Sequence, residues 1–314
     1  MAWVTWRQHR PQLLAAAGLV LAFVVAALAT SLPVHDAYHR QALSSCLPPS
    51  ARPGCELIVS HFRGEFAGLA HLARYLMILP ALALLIGVPL LAREFEHGTF
   101  RLAWTQGISR RRWLVSKTSL LALCLAAAAA VLAILAMWWR QPFDQFSGRM
   151  NPGQFDVEGT VVPAYALYAL AVGLLAAVLL RRTLAATFLA VGVFVLTRIG
   201  VEKLLRPHYL PPLHRVATGS TVTAHARDWI FADTVVDGGG RAITTAREDL
   251  AVLHAQHAGI DAQQYLTSLG WRRLITFQPD SRFWTFQGIE TGIFLVLAGL
   301  AVMAAVVLVN RRPA

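Results

Sequence analysis

The sequence predicts an all-α polytopic membrane protein: six transmembrane helices, a short N-terminal interfacial helix, and a large extracellular segment between helices five and six. Three observations lead there. Hydrophobic residues make up 56% of the 314-residue chain and charged residues only 14%, with a mean hydropathy of +0.52. An ordinary globular chain carries roughly 25% charged residues. The apolar residues are gathered into six runs, at 13–32, 75–92, 118–139, 161–180, 183–201 and 288–309. Each is close to the roughly 20 residues that cross about 30 Å of hydrocarbon, where backbone amides must be bonded within their own segment and therefore form helices. Finally, 28 basic against 17 acidic residues give a net charge of +11. In a soluble protein that excess would point to a polyanion such as nucleic acid, but here its distribution points elsewhere.

On one side of the six spans lie Arg7, Arg10, Arg93, Arg101, Arg110, Arg111, Arg112, Lys117, Arg181, Arg182, Arg311 and Arg312, opposed only by Glu94 and Glu96. The short loops on the other side balance six arginines against six acids, and segment 202–287 balances nine basic residues against eight. Basic residues near span ends are retained in the cytoplasm. The expected protein is therefore a multi-pass protein of the cell membrane with both termini cytoplasmic, and the charge marks topology and the lipid bilayer rather than a nucleic-acid partner.

Residues 1–12 suit an interfacial helix: Trp3 and Trp6 are three apart, and Arg7 and Arg10 reach toward headgroups. The run that follows ends in Ala27, Leu28 and Ala29, a small-x-small pattern, yet it exceeds the roughly 7–15 apolar residues of a signal peptide. The first helix is expected to be retained, as the start of a membrane unit over 13–201. Cys46 and Cys55 fall in the first external loop, separated by Pro48, Pro49, Pro53 and Gly54. An oxidising compartment permits a disulfide there, and two free thiols are the alternative. Cys124, in the third span, reads as a small packing residue.

Pro80, Gly87 and Pro89 in the second span allow either a hinge or helix termination near Pro89. The loop 93–117 that follows combines Glu94 and Glu96 at a helix end, a Gly98–Thr99 turn, a second turn at Gly107 and a Ser109–Arg110 helix start. This is a compact helical pair at the membrane surface, suited to docking. Arg198 and Glu290 are the two charges inside the spans, near the outer ends of helices five and six. Either they pair as an outer gate, or Arg198 simply snorkels to the headgroups. In the extracellular segment 202–287, Ile243, Ala246, Leu250, Leu253 and His257 recur at helical spacing and predict one amphipathic helix. Phe277, Phe283, Trp284 and Phe286 read as an interfacial aromatic belt. The last unit, 288–314, holds the sixth span and a cytoplasmic tail, and Gly288 and Gly292 in it form one GxxxG.

No catalytic residues are assigned. The chain has no Gly-rich phosphate-binding loop with Lys and Ser or Thr, so any ATP and Mg would be bound by another polypeptide. His254 and His257 lack the further ligands a metal site needs, and His-Glu-x-x-His, Gly-x-Ser-x-Gly and intramembrane carboxylate pairs are missing from the sequence.

The loop Arg93–Lys117 resembles that of the permease subunits of type-2 ABC exporters, which carry Glu-x-Glu-x-Gly-Thr and, further on, Ser-Arg and Lys. Glu94, Glu96, Gly98, Thr99, Thr105, Ser109, Arg110 and Lys117 occupy those places. The opening Trp3–Arg10 and the late run Gln278–Gln287 resemble actinobacterial members. Where the family pattern has Pro, this chain has Gly107. The resemblance implies that Glu94, Glu96, Gly98, Thr99, Arg110 and Lys117 couple the permease to a separate ABC ATPase subunit. It also implies that a second permease copy or a paralogue completes the assembly and that transport runs outward, while helices lined by Ala, Leu and Val suggest an apolar or amphipathic solute. The competing expectation is a membrane sensor or immunity protein whose extracellular segment binds a ligand.

Overall fold

The structure, a computed structural model, describes residues 2–47, 54–70, 75, 78–97, 110–217 and 227–311. The chain begins with α1, Ala2–Arg40, followed by a 3₁₀ turn, Leu43–Cys46, and the short α2, Cys55–Glu65. The long helices α3, Ile78–Glu96, and α4, Arg110–Ser147, come next, then α5, Val161–Leu180, and α6, Thr183–Gly200. Beyond α6 lie strands β1, Leu213–Ala217, and β2, Trp229–Val236, helices α7, Thr245–His257, and α8, Ala262–Ser268, and strand β3, Arg272–Gln278. The chain closes on α9, Phe283–Arg311. Among the described residues, five stretches are long and apolar enough to cross a membrane: Val20–Arg40, Thr118–Ser147, Val161–Leu180, Thr183–His208 and Asp280–Arg311. The remaining run, predicted at 75–92, corresponds to the 19-residue α3.

Helix α5 is the axis of the bundle. It is apolar on every face, and a helix of that kind is stable only when surrounded. Packing against α3, α4, α6 and α9 buries 83% of its length. Two glycines bring α3 and α5 together. A methyl group on Gly87 would lie 2.8 Å from the Leu170 side chain, and one on Gly173 would lie 3.2 Å from Val88. Gly87 is thus a packing position, and α3 continues through Pro89 to Glu96 instead of ending there. The other helices turn apolar side chains outward. On α6, Leu184 and Phe188 are each 77% exposed and Leu196 is 72% exposed. Such a face is costly in water and stable in lipid.

A second core closes one end of the bundle. Val34 and Tyr38 of α1 meet Phe62 of α2, Phe66, and Phe143 and Phe146 of α4. Cys46 and Cys55 lie at its edge, joined in a disulfide with a Cα–Cα separation of 5.4 Å.

Several expectations are corrected. The boundary at residue 12 is not a break, because α1 is continuous from Ala2 to Arg40. Pro11 removes one backbone hydrogen bond without interrupting the helix. The chain is not purely helical: β1, β2 and β3 form an antiparallel sheet in the order β1-β3-β2. Leu213 pairs with Phe277 and Trp229 with Gln278, and the β2 register shifts between Ile230 and Ala232. The predicted amphipathic helix is present as α7, but Leu250 and Leu253 on its apolar stripe are exposed, while Ala255 is buried. The aromatic belt is mostly core: Phe277, Phe283 and Phe286 are buried and only Trp284 is exposed. Cys124 is exposed rather than packed, and methyl groups on Gly288 and Gly292 would meet nothing within 4 Å, so this GxxxG makes no close helix contact within the chain.

Candidate functional site: a tied loop and a buried charge cluster

At one end of the bundle, α3 ends at Glu96 and α4 begins at Arg110, where the Ser-Arg helix start was expected. Gly98 and Thr99 lie outside the described residues, and Arg110 and Lys117 occupy the first turns of α4. Glu94 is half-buried and Glu96 exposed. Glu96 reaches across to α6, where its carboxylate accepts hydrogen bonds from the Thr183 backbone N–H at 2.7 Å and the Thr183 hydroxyl at 2.8 Å. The first amides of a helix have no partner of their own, and its dipole favours an anion there. These bonds, the backbone one above all, hold the Glu96 carboxyl below its ordinary range. A residue that the sequence directed outward toward a partner thus also has a partner within the chain.

At the far end of α6 the backbone widens into a π-helical turn, Val201–Leu205, followed by a 3₁₀ turn, Arg206–His208. In an unbroken α-helix, residues 198 and 206 would point about 80° apart. The π turn rotates the chain less per residue, and both arginines reach the same carboxylate on α9. Arg206 donates to Glu290 from Nε at 2.8 Å and from Nη2 at 2.7 Å. It is fully buried, and its Nη2 also meets Asp156 Oδ1 at 2.6 Å. Arg198 contacts Glu290 at 3.5 Å and pairs closely with Asp156, with Glu202 at 4.0 Å on its flank. Tyr165 and Tyr209 donate their hydroxyls to Glu290 at 2.5 and 3.1 Å. The guanidinium groups of Arg198 and Arg206 lie over the rings of Tyr165 and Phe155, each 4.3 Å from the centroid.

Two guanidinium groups and two central carboxylates cancel, which lets charge persist in a dry interior. Burial nevertheless pushes the Asp156 carboxyl above its ordinary range, opposed by the two arginines. It also pushes the Tyr209 hydroxyl up, aided by the neighbouring Glu290 charge. Arg198 and Glu290 are therefore brought together, and Arg198 is buried in the bundle rather than snorkelling. The sequence reading missed Arg206, the strongest partner of Glu290, because it lies past the apolar run in which intramembrane charges were sought. It missed Asp156 because that residue belongs to a short loop. Tyr165, a polar group within an apolar span, was the available signal.

The run Gln278–Gln287 holds this region in place. Gln278 donates to the Leu210 carbonyl at 2.8 Å and Arg282 to the Pro211 carbonyl at 2.7 Å. Gln287 donates to the Phe155 carbonyl and accepts the Val161 N–H, both at 3.0 Å, and so caps α5. Its side chain fills the place a methyl group on Gly159 would occupy, 2.6 Å away, where φ is +69°. Glycine satisfies both demands at once.

No curated protein matches the chain. A family model does, over residues 17–206, which takes in the apolar helices α3 to α6, the 93–117 segment between α3 and α4 and the arginines of the buried cluster. With more than half its length matched, the chain belongs to the family described as ABC-2 membrane transporter related, and is a membrane transporter subunit.

Proposed function

We propose that the protein is the permease subunit of an ABC exporter that moves a lipophilic or amphipathic solute outward, using ATP hydrolysed by a separate ATPase. Two permeases pair, each with six spans and both termini in the cytoplasm, and each docks an ATPase through 93–117. Glu94, Glu96, Arg110 and Lys117 carry the docking charge, with Gly98 and Thr99 forming the turn. ATP and Mg reside on the ATPase. The observation that carries the reading is the Glu96–Thr183 tie, which joins the loop to the helix that ends at the buried cluster.

Motion imposed on the loop by nucleotide is passed through Thr183 to α6, and α6 carries Arg198 against Glu290. Arg198, Arg206, Asp156 and Glu290 act as a latch with two arrangements, biased by the ATPase as any two-state element is biased by a ligand. The test is copurification of the chain with an ATPase, followed by ATP-driven accumulation of a panel of lipophilic compounds inside inside-out vesicles. A pair that forms but hydrolyses ATP without regard to solute, or a chain that captures no ATPase, overturns the reading in favour of a membrane sensor. Charge reversal at Glu94 and Glu96 is expected to abolish transport while membrane insertion persists.

A further inference from the structure

Helix α7 has one face that its own subdomain leaves bare. At about 100° per residue, Ala246, Leu250, Leu253 and His257 fall within an arc of roughly 60°. All four are exposed, Leu250 by 68% and Leu253 by 49%. The side by which α7 packs lies opposite them: Ala255 is buried, Ala251 and Val252 are half-buried, and Glu248 reaches Arg273 of β3 at 3.3 Å. The helix is thus seated in its subdomain and still turns two leucines outward, where burial against a partner would recover free energy.

Spacing and charge say what that partner is. The alternation of four and three residues along the stripe is the a/d pattern of a coiled coil. It puts Leu250 and His257 in a, Ala246 and Leu253 in d, Asp249 in g, and Arg247 and His254 in e. In a parallel pair, a g residue meets the e residue of the following heptad on the other helix, so Asp249 of one helix faces His254 of the other, twice by symmetry. An antiparallel pair would set e against e, and therefore base against base. A membrane surface fits poorly. Helices that lie on lipid are rich in Lys and Arg and carry Trp or Phe, whereas α7 sets one Arg against Glu248 and Asp249 and has no aromatic residue.

We propose that α7 docks in parallel on α7 of a second copy of this chain, through Leu250 and Leu253 and with Asp249 of one copy beside His254 of the other. Two copies inserted the same way are related by a twofold axis along the membrane normal, and a parallel helix pair on that axis obeys it. Four side chains from each copy fall well short of the roughly 1,000 Å² of a self-sufficient interface. The contact therefore forms where the spans already hold two copies at high effective concentration. It rests on the pairing of permeases proposed above, and adds where the extracellular segments meet and in which orientation.

The test uses the full chain in its membrane, with Cys124→Ala removing the free thiol. Leu250→Cys and Leu253→Cys, with Gln263→Cys on α8 as the control, are oxidised mildly and the disulfide-linked dimers counted. All three positions are exposed, so the fold is not at stake. The two α7 variants should give severalfold more dimer than the control. Adding Asp249→Arg to Leu250→Cys should cut the yield by about threefold or more, and adding His254→Asp to that should restore it. Pairing itself is read separately, by copurification of two differently tagged copies. Copies that copurify while the α7 thiols link no better than the control, or link to another protein, overturn the α7 contact and leave the paired exporter intact. Links indifferent to Asp249→Arg and to the charge swap overturn the parallel arrangement. Copies that do not copurify overturn the pairing, and the α7 contact with it.

Discussion

Thr183 donates two hydrogen bonds to Glu96 across 87 residues of sequence, one from its backbone amide at 2.7 Å and one from its hydroxyl at 2.8 Å. The carboxylate that ends α3 thereby becomes the cap of α6. The two contacts are local, but α6 leads without interruption to Arg198 and, through the π turn, to Arg206. A side chain at the loop and a charge cluster at the other end of the bundle consequently share one rigid element.

If that element transmits motion, Glu96→Ala and Thr183→Val should each lower export by about fivefold or more, the range of ordinary coupling energies. The double variant should be little worse than either single one, since both remove the same tie. The measurement is export rate beside ATPase rate in vesicles, and a fall in export with hydrolysis preserved is the expected split. Additive losses would assign Glu96 to the partner alone.

The buried cluster predicts a large asymmetry between breaking and replacing it. Arg206→Ala leaves Glu290 and Asp156 short of a partner in the interior, and should cost about 3–5 kcal/mol, as loss of one member of a buried pair does. Arg206→Lys keeps the charge but cannot serve Nε and Nη2 contacts to both Glu290 oxygens, and should lie between wild type and Ala. Unfolding in detergent, followed by melting temperature and denaturant midpoint, checks both. A loss below about 1 kcal/mol for Arg206→Ala would place the cluster at a solvated surface.

For the disulfide, the sequence separation of 9 between Cys46 and Cys55 corresponds to about 2–3 kcal/mol in the loop-entropy model. Reduction or Cys55→Ser should lower the melting temperature accordingly. Maleimide labelling of the denatured chain should modify one thiol before reduction, Cys124, and all 3 cysteines of the chain afterwards.

Glu158 carries a pH signature. Its carboxyl is raised in the folded state by burial and then by Asp144, against Arg140, so the folded chain holds a proton that the unfolded chain has released. Stability from this group is complete below the unfolded value of about 4.3. It is lost as pH rises from there through the raised folded value. Glu158→Gln should flatten the fall in melting temperature over that window, and an unchanged pH profile in the variant would mean that Glu158 is ionised in the folded state throughout.

How much of this was legible without coordinates depended on whether the signal was local. Hydrophobic run length places α4, α5, α6 and α9, because a segment that hydrates poorly must form its own hydrogen bonds wherever it lies. The motif residues in 93–117, the nine-residue spacing of Cys46 and Cys55, and the two intramembrane charges Arg198 and Glu290 each stand out in their own windows, although their pairings stayed open. Even the missed sheet had a local mark in the alternation of Ile275 and Phe277, both buried, along β3.

Only the tertiary structure decided the partners. Glu96 was an acid in a loop until α6 presented Thr183. Arg206 was a basic residue beyond a span until the π turn set it against Glu290. Arg140, Asp144 and Glu158 were charges in a balanced loop until burial made one of the acids conspicuous. Composition and periodicity report what each segment needs from its surroundings. Which charge answers a buried charge is set by contacts of 3.5 Å or less between residues as much as 92 positions apart, and no window along the chain contains both.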